Sequence, residues 1–397
     1  MEVEIGRGKK ARRAYGFDDV AIVPSRRTRD PEDVDISWKL GDYRFELPLL
    51  ASAMDGVVSP RTAAIVGELG GLAVLNLEGV FTRYEDAEEQ LERISRLPKE
   101  QATREMQEIY REPVKPELIT QRIQEIKAHG VVTAASLTPQ RVTKHYELAL
   151  EAGLDVMVIQ GTVVSAEHVS SRSEPLNLKE FIAAMEVPVV VGGCASYHTG
   201  LHLMRTGAAG VLVGVGPGAA CTTRGVLGIG VPQATAIADV AAARSQHMLE
   251  TGDYVKVIAD GGMRNGGDVS KAIACGSDAV MIGSPLARAY EAPGHGYHWG
   301  MATFHPELPR GARVQTTQNG TLKEILVGPA HENDGTFNLM GGLRTSMATC
   351  GYEDIAEFNR AELMVAPSLQ TEGKQLQRDQ QVGMGSNGKA EAVLVND

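Results

Sequence analysis

Residues 214–233 read GVGPGAACTTRGVLGIGVPQ, with one cysteine between Gly-Pro-Gly and Thr-Thr-Arg. A free cysteine is most often a small buried hydrophobe. Here Gly216, Pro217 and Gly218 make the surroundings a loop rather than a core strand, and a thiolate on an accessible loop is a nucleophile. Cys221 is therefore the candidate nucleophile. The carbonyls of Gly216 and Gly218, free to turn outward, suit a monovalent cation. A second cluster lies downstream, where residues 258–262 read IADGG and residues 281–284 read MIGS. Gly262, Gly283 and Ser284 offer unhindered backbone N–H groups and a hydroxyl, which is what a phosphate needs. Asp260 beside them can accept from ribose hydroxyls, or can cap the helix that follows. Cys194 and Cys275 read as packing residues.

These residues work together only if separate chain segments bring them to one place. Eight short apolar runs recur between residues 47 and 284: LPLLASA, LAVLNL, VVTAAS, LDVMVIQ, VPVVVGG, AAGVLVG, YVKVIAD and DAVMIGS. Their hydrophobicity is continuous rather than alternating, as in parallel strands covered on both faces. Helix-like segments alternate with them, beginning at SPRTAAIVGELG and ending at DVSKAIACG. The pattern predicts an α/β fold, a (β/α)₈ barrel, whose active site lies at the C-terminal ends of the strands. Ser52, Cys221, Asp260, Gly283 and Ser284 all fall just past such ends. An open doubly wound sheet would carry G-x-G-x-x-G after its first strand, and none stands there.

Residues 84–130 predict two or three charged amphipathic helices inserted after the second strand, with Pro113 and Pro116 as breakers. Residues 286–350 mix Gly, Pro, His and Thr without periodicity and read as a functional flap. The barrel with both additions is expected as a single domain over 1–367, followed by a polar, unstructured tail over 368–397. The 397 residues are 43% hydrophobic with a net charge of −11 and no basic stripe, which argues against nucleic acid as a partner. Four scattered cysteines without C-x-x-C argue against a disulfide or zinc framework. No signal core or bilayer-length apolar run is present, so no membrane association and a cytoplasmic location are expected.

Several stretches together resemble the IMP dehydrogenase / GMP reductase family: GVGPGAACTTR with GIGVPQATAI, IADGGMRNGGDVSKAIACGSDAVMIGS, ASAMDGVVS, EAPG at 291–294 and GGLRTSM at 341–347. The resemblance covers most of residues 15–355. The regulatory cystathionine-synthase-type domains usual after strand two are absent, as in the short branch of IMP-dehydrogenase-related proteins.

The resemblance implies that Cys221 attacks purine C2, with Thr223 near the leaving or attacking group. It implies that Asp260 holds the ribose diol, and that Ser52, Met54, Gly262, Gly283, Ser284, Gly300 and Met301 hold the nucleotide. Gly216, Gly218 and the Cys221 carbonyl match a potassium site. Gln160, Gly161 and Thr162 fall on the nicotinamide side, where relatives carry Asp-Ser-Ser.

Other departures are Ala219 for a serine, Cys194 for an asparagine and Leu212 for an arginine. His298-Trp299 stands where relatives have a tyrosine. The flap at 300–314, GMATFHPELPRGARV, lacks the Arg-Tyr pair that activates water, and Arg310 is the candidate replacement. The implied activity is oxidation of IMP to XMP with NAD, in a homotetramer or an octamer of paired tetramers. Reduction of GMP with NADPH and a non-catalytic purine-nucleotide sensor are the alternatives.

Overall fold

The computed structural model describes residues 2–169, 171, 175–366 and 374–380. All eight apolar runs form strands of one closed parallel barrel. They are β1 (Leu49–Ala51), β2 (Leu72–Asn76), β3 (Ala134–Leu137), β4 (Val156–Gln160), β5 (Val189–Cys194), β6 (Gly210–Val213), β7 (Lys256–Asp260) and β8 (Ala279–Ile282). The barrel closes where Val280 pairs with Leu49 and Ile282 with Ala51. Nearly every barrel residue is buried, on both faces of the sheet, which is why the strands read as unbroken apolar runs. The third strand begins at Ala134, three residues later than the apolar run.

The helices up to residue 349 are α1 (Pro60–Glu68), α2 (Ala87–Arg96), α3 (Lys99–Ile109), α4 (Pro116–Lys127), α5 (Val142–Glu151), α6 (Leu178–Ala183), α7 (Tyr197–Met204), α8 (Thr223–Leu227), α9 (Gln233–Thr251), α10 (Gly266–Ala274), α11 (Leu322–Val327) and α12 (Leu339–Thr349). Polar caps fix where several begin. Ser59 accepts from Thr62 N ahead of Pro60, Ser196 accepts from Thr199 N, and Asn265 accepts from Asp268 N. Of the three helices within 84–130, α4 packs between α1 and α5 and so belongs to the barrel's outer ring. Only α2 and α3 stand apart from the ring, and α3 packs on the segment after β8.

The region after β8 is less irregular than its composition suggests. Tyr297–His298 pairs antiparallel with Val314–Gln315, Met301–Phe304 forms a 3₁₀ turn, and α12 packs against α10. Gly266 and Gly342 meet at that crossing, where a Cβ on Gly266 would lie 3.4 Å from Gly342 Cα. At the other end of the barrel a hairpin, Trp38–Leu40 with Tyr43–Phe45, lies under the strand starts. Its turn residue Gly41 abuts Pro188 just before β5. Two further small ribbons join Glu2–Gly6 to Lys9–Arg12 and Val20–Ile22 to Leu363–Val365. The expected unstructured tail lies outside the described residues except at 374–380, where Lys374–Asp379 is a short helix. No described helix is long and apolar enough to cross a membrane.

One glycine shows how tightly the strand ends meet. A Cβ on Gly214, just past β6, would lie 2.2 Å from the Asp260 carbonyl oxygen and 3.1 Å from Gln233 Nε2. Gln233 Nε2 donates to both Val213 O (2.7 Å) and Asp260 O (3.1 Å), tying β6 to β7. Gly214→Ala is expected to cost about 1–3 kcal/mol, the usual range for overpacking a tight interior. Equilibrium denaturation in urea checks this.

Candidate active site

A cleft of about 1080 Å³ opens at the C-terminal end of the barrel. Every residue singled out from the sequence lines it: Ser52, Met54, Gln160, Gly161, Thr162, Gly216, Gly218, Cys221, Thr223, Asp260, Gly262, Gly283, Ser284, Gly300, Met301 and Arg310. They come from segments up to 258 residues apart in the chain, and the closed barrel is what unites them.

The cysteine loop lies between β6 and α8. The Cys221 thiol donates to Thr223 Oγ1 at 3.1 Å, and Thr223 itself is fully buried. Cys221 is partly exposed in the cleft, whereas Cys194, Cys275 and Cys350 are buried. Burial pushes the thiols of Cys194 and Cys275 up to about 12, so neither supplies thiolate at neutral pH. The loop is held from the flap side. Thr222 N donates to Arg310 O (2.9 Å), Ala312 N donates to Ala220 O (2.9 Å), and Gly311 faces Cys221 in an antiparallel bridge. The Arg310 guanidinium has no ion-pair partner among the described residues, which distinguishes it from a salt-bridged surface arginine.

Against Pro217 and Gly218 of the cysteine loop, Gly261 and Gly262 take φ of +79° and +84°, a conformation that Cβ-bearing residues avoid. Gly283 sits against Met54, whose Sδ would be 2.7 Å from a Cβ there. The N–H groups of Gly262, Gly283 and Ser284 have no acceptor among the described residues. Unpaired backbone N–H groups at one spot form an anion cradle. Ser284 Oγ lies 2.7 Å from His298 Nε2, and burial pushes that imidazole down to about 4, so it is neutral at pH 7.

Asp260 ends β7, next to Gly261 and Gly262, and lines the same cleft as Cys221. Burial raises its carboxyl to about 7, opposed only by a hydrogen bond from Gln160 Nε2 at 3.2 Å. A carboxylate so placed gains most from a ligand that brings hydroxyl donors. Gln160, expected on the cofactor side, thus turns its amide toward Asp260. Gly161 and Thr162 continue the same wall.

The carbonyls expected to hold a cation are unequal. Gly218 O accepts from Cys221 N (3.0 Å), while those of Gly216 and Cys221 have no donor among the described residues. Two of the three ligands are therefore available, and the donor set suits a large monovalent cation better than Mg²⁺ or Zn²⁺. No described cluster of His, Cys, Asp or Glu could hold a metal.

Sequence reasoning missed one wall of the cleft, formed by Glu78, Arg83, Gln107, Tyr110 and Arg141. Glu78 accepts from Thr138 N (2.6 Å) and pairs with Arg141 (3.3 Å), while Arg83 donates to the Glu78 carbonyl (3.1 Å). Behind this wall Tyr110 donates to the buried carboxylate of Asp55 and accepts from Trp299 Nε1 at 2.8 Å. Burial raises Asp55 to about 6, while the Tyr110 hydroxyl and Val80 N–H hold it down. No local pattern announces these residues, because apart from the Arg83–Glu78 contact, five positions apart, their contacts with Thr138, Arg141, Asp55 and Trp299 span 55 to 189 positions.

The Asp260 environment carries a signed prediction. A folded-state value raised above the unfolded one penalises folding once the unfolded chain has lost its proton. The penalty is absent near pH 4, grows as pH rises, and is complete above about 7. Asp260→Asn is expected to stabilise the ligand-free protein at pH 7.5 and to make little difference at pH 4. Thermal unfolding of both proteins across that range checks it.

The family model for the IMP dehydrogenase / GMP reductase domain matches residues 14–374. An uncharacterized oxidoreductase of Mycolicibacterium smegmatis is 48% identical over 372 residues, covering 91% of this chain and 99% of its own. The inosine-5′-monophosphate dehydrogenase of Cryptosporidium parvum is 30% identical over 379 residues, covering 86% of this chain and 89% of its own. The crystal structure of an IMP dehydrogenase/GMP reductase-like protein from Corynebacterium glutamicum superimposes with a TM-score of 0.88 at 44% identity, covering 92% of this chain and 98% of that one. With the barrel, the cleft and its partly exposed cysteine, these likenesses establish that the chain belongs to the IMP dehydrogenase / GMP reductase family of oxidoreductases.

Proposed function

We propose that the protein oxidises IMP to XMP with NAD through a covalent adduct on Cys221. The observation that carries this reading is the partly exposed Cys221 thiol, 3.1 Å from Thr223 Oγ1, in the same cleft as Asp260 and the free N–H groups of Gly262, Gly283 and Ser284. The cradle would take the 5′-phosphate, with Ser52, Met54, Gly300 and Met301 around the nucleotide. Asp260 would take the ribose hydroxyls, which directs the purine toward Cys221. NAD supplies the hydride acceptor. Hydrogen bonds to charged groups contribute about 1.5–3 kcal/mol each, so phosphate dominates affinity.

In the chemistry proposed, the Cys221 thiol releases its proton to solvent as Sγ forms a bond to C2 of IMP, and the C2 hydride would pass to NAD⁺ to give NADH. Water then adds at C2, the C–S bond breaks, and XMP departs as the thiol regains its proton. Arg310 has no carboxylate partner among the described residues, and its backbone is bonded to the cysteine loop, so it is the group we assign to activating that water. The carbonyls of Gly216, Gly218 and Cys221 would hold potassium and steady the loop. A location in the cytoplasm and assembly as a tetramer or octamer remain part of this proposal.

One observation favours a different reaction of the same family, reduction of GMP to IMP with NADPH and release of ammonia. The flap carries no Arg-Tyr pair, and a reductase releases ammonia and need not activate water.

Purified protein with IMP, NAD⁺ and potassium is expected to produce NADH at 340 nm and XMP by chromatography. GMP with NADPH is the opposing assay, and activity there alone would reverse the reading. Cys221→Ala is expected to abolish turnover and keep IMP binding by calorimetry. Arg310→Ala is expected to leave a burst of NADH and slow the steady state about 100-fold, the low end for a lost general base.

A further inference from the structure

The segment 297–313 is held on two sides. On the barrel side it pairs with the cysteine loop through Arg310 and Ala312, and at its start His298 Nε2 lies 2.7 Å from Ser284 Oγ just past β8. On the outer side it meets the α2–α3 insertion at three separate places. The Tyr110 ring, just past α3, stacks on Phe304 with centroids 4.0 Å apart and planes 8° apart. Its hydroxyl accepts from Trp299 Nε1 (2.8 Å) and donates to Asp55, just past β1. Gln107 Nε2 donates to His305 O at 2.8 Å. Farther along, Arg313 reaches back to Ile94 O and Leu97 O at the end of α2 and stacks on Tyr297 at 4.3 Å. Gly311 closes the path inward, since a Cβ there would lie 2.2 Å from Thr303 Oγ1.

We infer that the α2–α3 insertion, through Tyr110 and Gln107, is the fixed anchor that positions the flap and through it the Cys221 loop. A long connection without such contacts samples many conformations, and holding a nucleophile within the tolerance of its reaction requires that this freedom be removed beforehand. The barrel ends alone do not remove it, because Ser284 fixes only the start of the segment at His298, and the bonds at Arg310 and Ala312 join one loop to another. The insertion adds a contact to a rigid body. α3 is a three-turn helix with Met106 and Ile109 buried, and Tyr110 is bonded to Asp55 at the end of β1. Tyr110 and Gln107 are thus positioning residues.

The inference rests on the proposed nucleophile but is tested by a readout that needs no substrate. Iodoacetamide modification of Cys221, followed by peptide mass spectrometry, reports how the loop is held. The variants are Tyr110→Leu, which removes ring stack and hydroxyl, Tyr110→Phe, which keeps the stack, and Gln107→Ala. Ile273→Val, a buried change in α10, serves as a control for stability loss alone. Cys221 alkylation in the nucleotide-free protein is expected to rise about tenfold in Tyr110→Leu, less in Tyr110→Phe and Gln107→Ala, and not in Ile273→Val. Turnover is expected to fall in the same order, with kcat more affected than the KM for IMP. Should Tyr110→Leu fail to fold, the other two variants carry the test. Unchanged alkylation in Tyr110→Phe and Gln107→Ala, or an equal rise in Ile273→Val, overturns the inference. Failure of the nucleophile reading would show separately, as undiminished turnover in Cys221→Ala.

Discussion

The backbone groups at the mouth of the barrel impose the constraint on which the site depends. Inside a closed parallel sheet every N–H and C=O finds a partner in the next strand, but the ladder stops where each strand ends. Some of the groups beyond it pair with each other: Thr222 with Arg310, Ala312 with Ala220, Gly161 with Gly192, and Gly214 with Cys194. Others have no partner among the described residues, among them the N–H groups of Gly262, Gly283 and Ser284. The paired groups hold the loops, and the unpaired ones are available to a ligand. The division between them largely defines the cleft.

Charge is managed in the same economical way. Asp260 and Asp55 are both buried carboxylates whose pKa values burial raises, and each has a neutral hydrogen-bond donor rather than a cation as its closest partner. Asp55 is partnered by Tyr110 and Val80 and faces the protein's own insertion. Asp260 has only Gln160 among the described residues and faces the cleft. His298, beside Ser284, is kept neutral by burial. Two chemically identical carboxyl groups therefore do different work, one joining the insertion to the barrel and the other leaving acceptor capacity for a bound molecule. The net charge of −11 is no obstacle to a phosphate ligand, because the cradle uses backbone dipoles at short range.

The insertion and the flap extend the same logic outward. α4 keeps its place in the outer ring, so the added residues α2 and α3 do not disturb the barrel. They are free to pack on the segment after β8, and the stacked pair Tyr110–Phe304 joins them to it. A chain without regulatory domains at this point has a compact helical pair instead, and that pair reaches the wall of the cleft through Gln107 and Tyr110.

The barrel and much of its cleft were legible in the amino-acid order. Parallel strands buried on both faces give unbroken apolar runs, strand ends in this fold face the active site, and glycine marks backbone conformations that few other residues adopt. Those rules act over a few residues, and so they locate β1 to β8, Gly261 and Gly262, and the loop that bears Cys221. The tertiary structure alone decided that Gln160 turns to Asp260, that Arg310 lies against Thr222 without an ion pair, that α4 belongs to the ring, and that Tyr110 joins Asp55, Trp299 and Phe304. Each of these depends on contacts between segments far apart in the chain. A side chain's partner across such a distance is set by how the barrel closes and the loops pack, and local spacing carries no record of it.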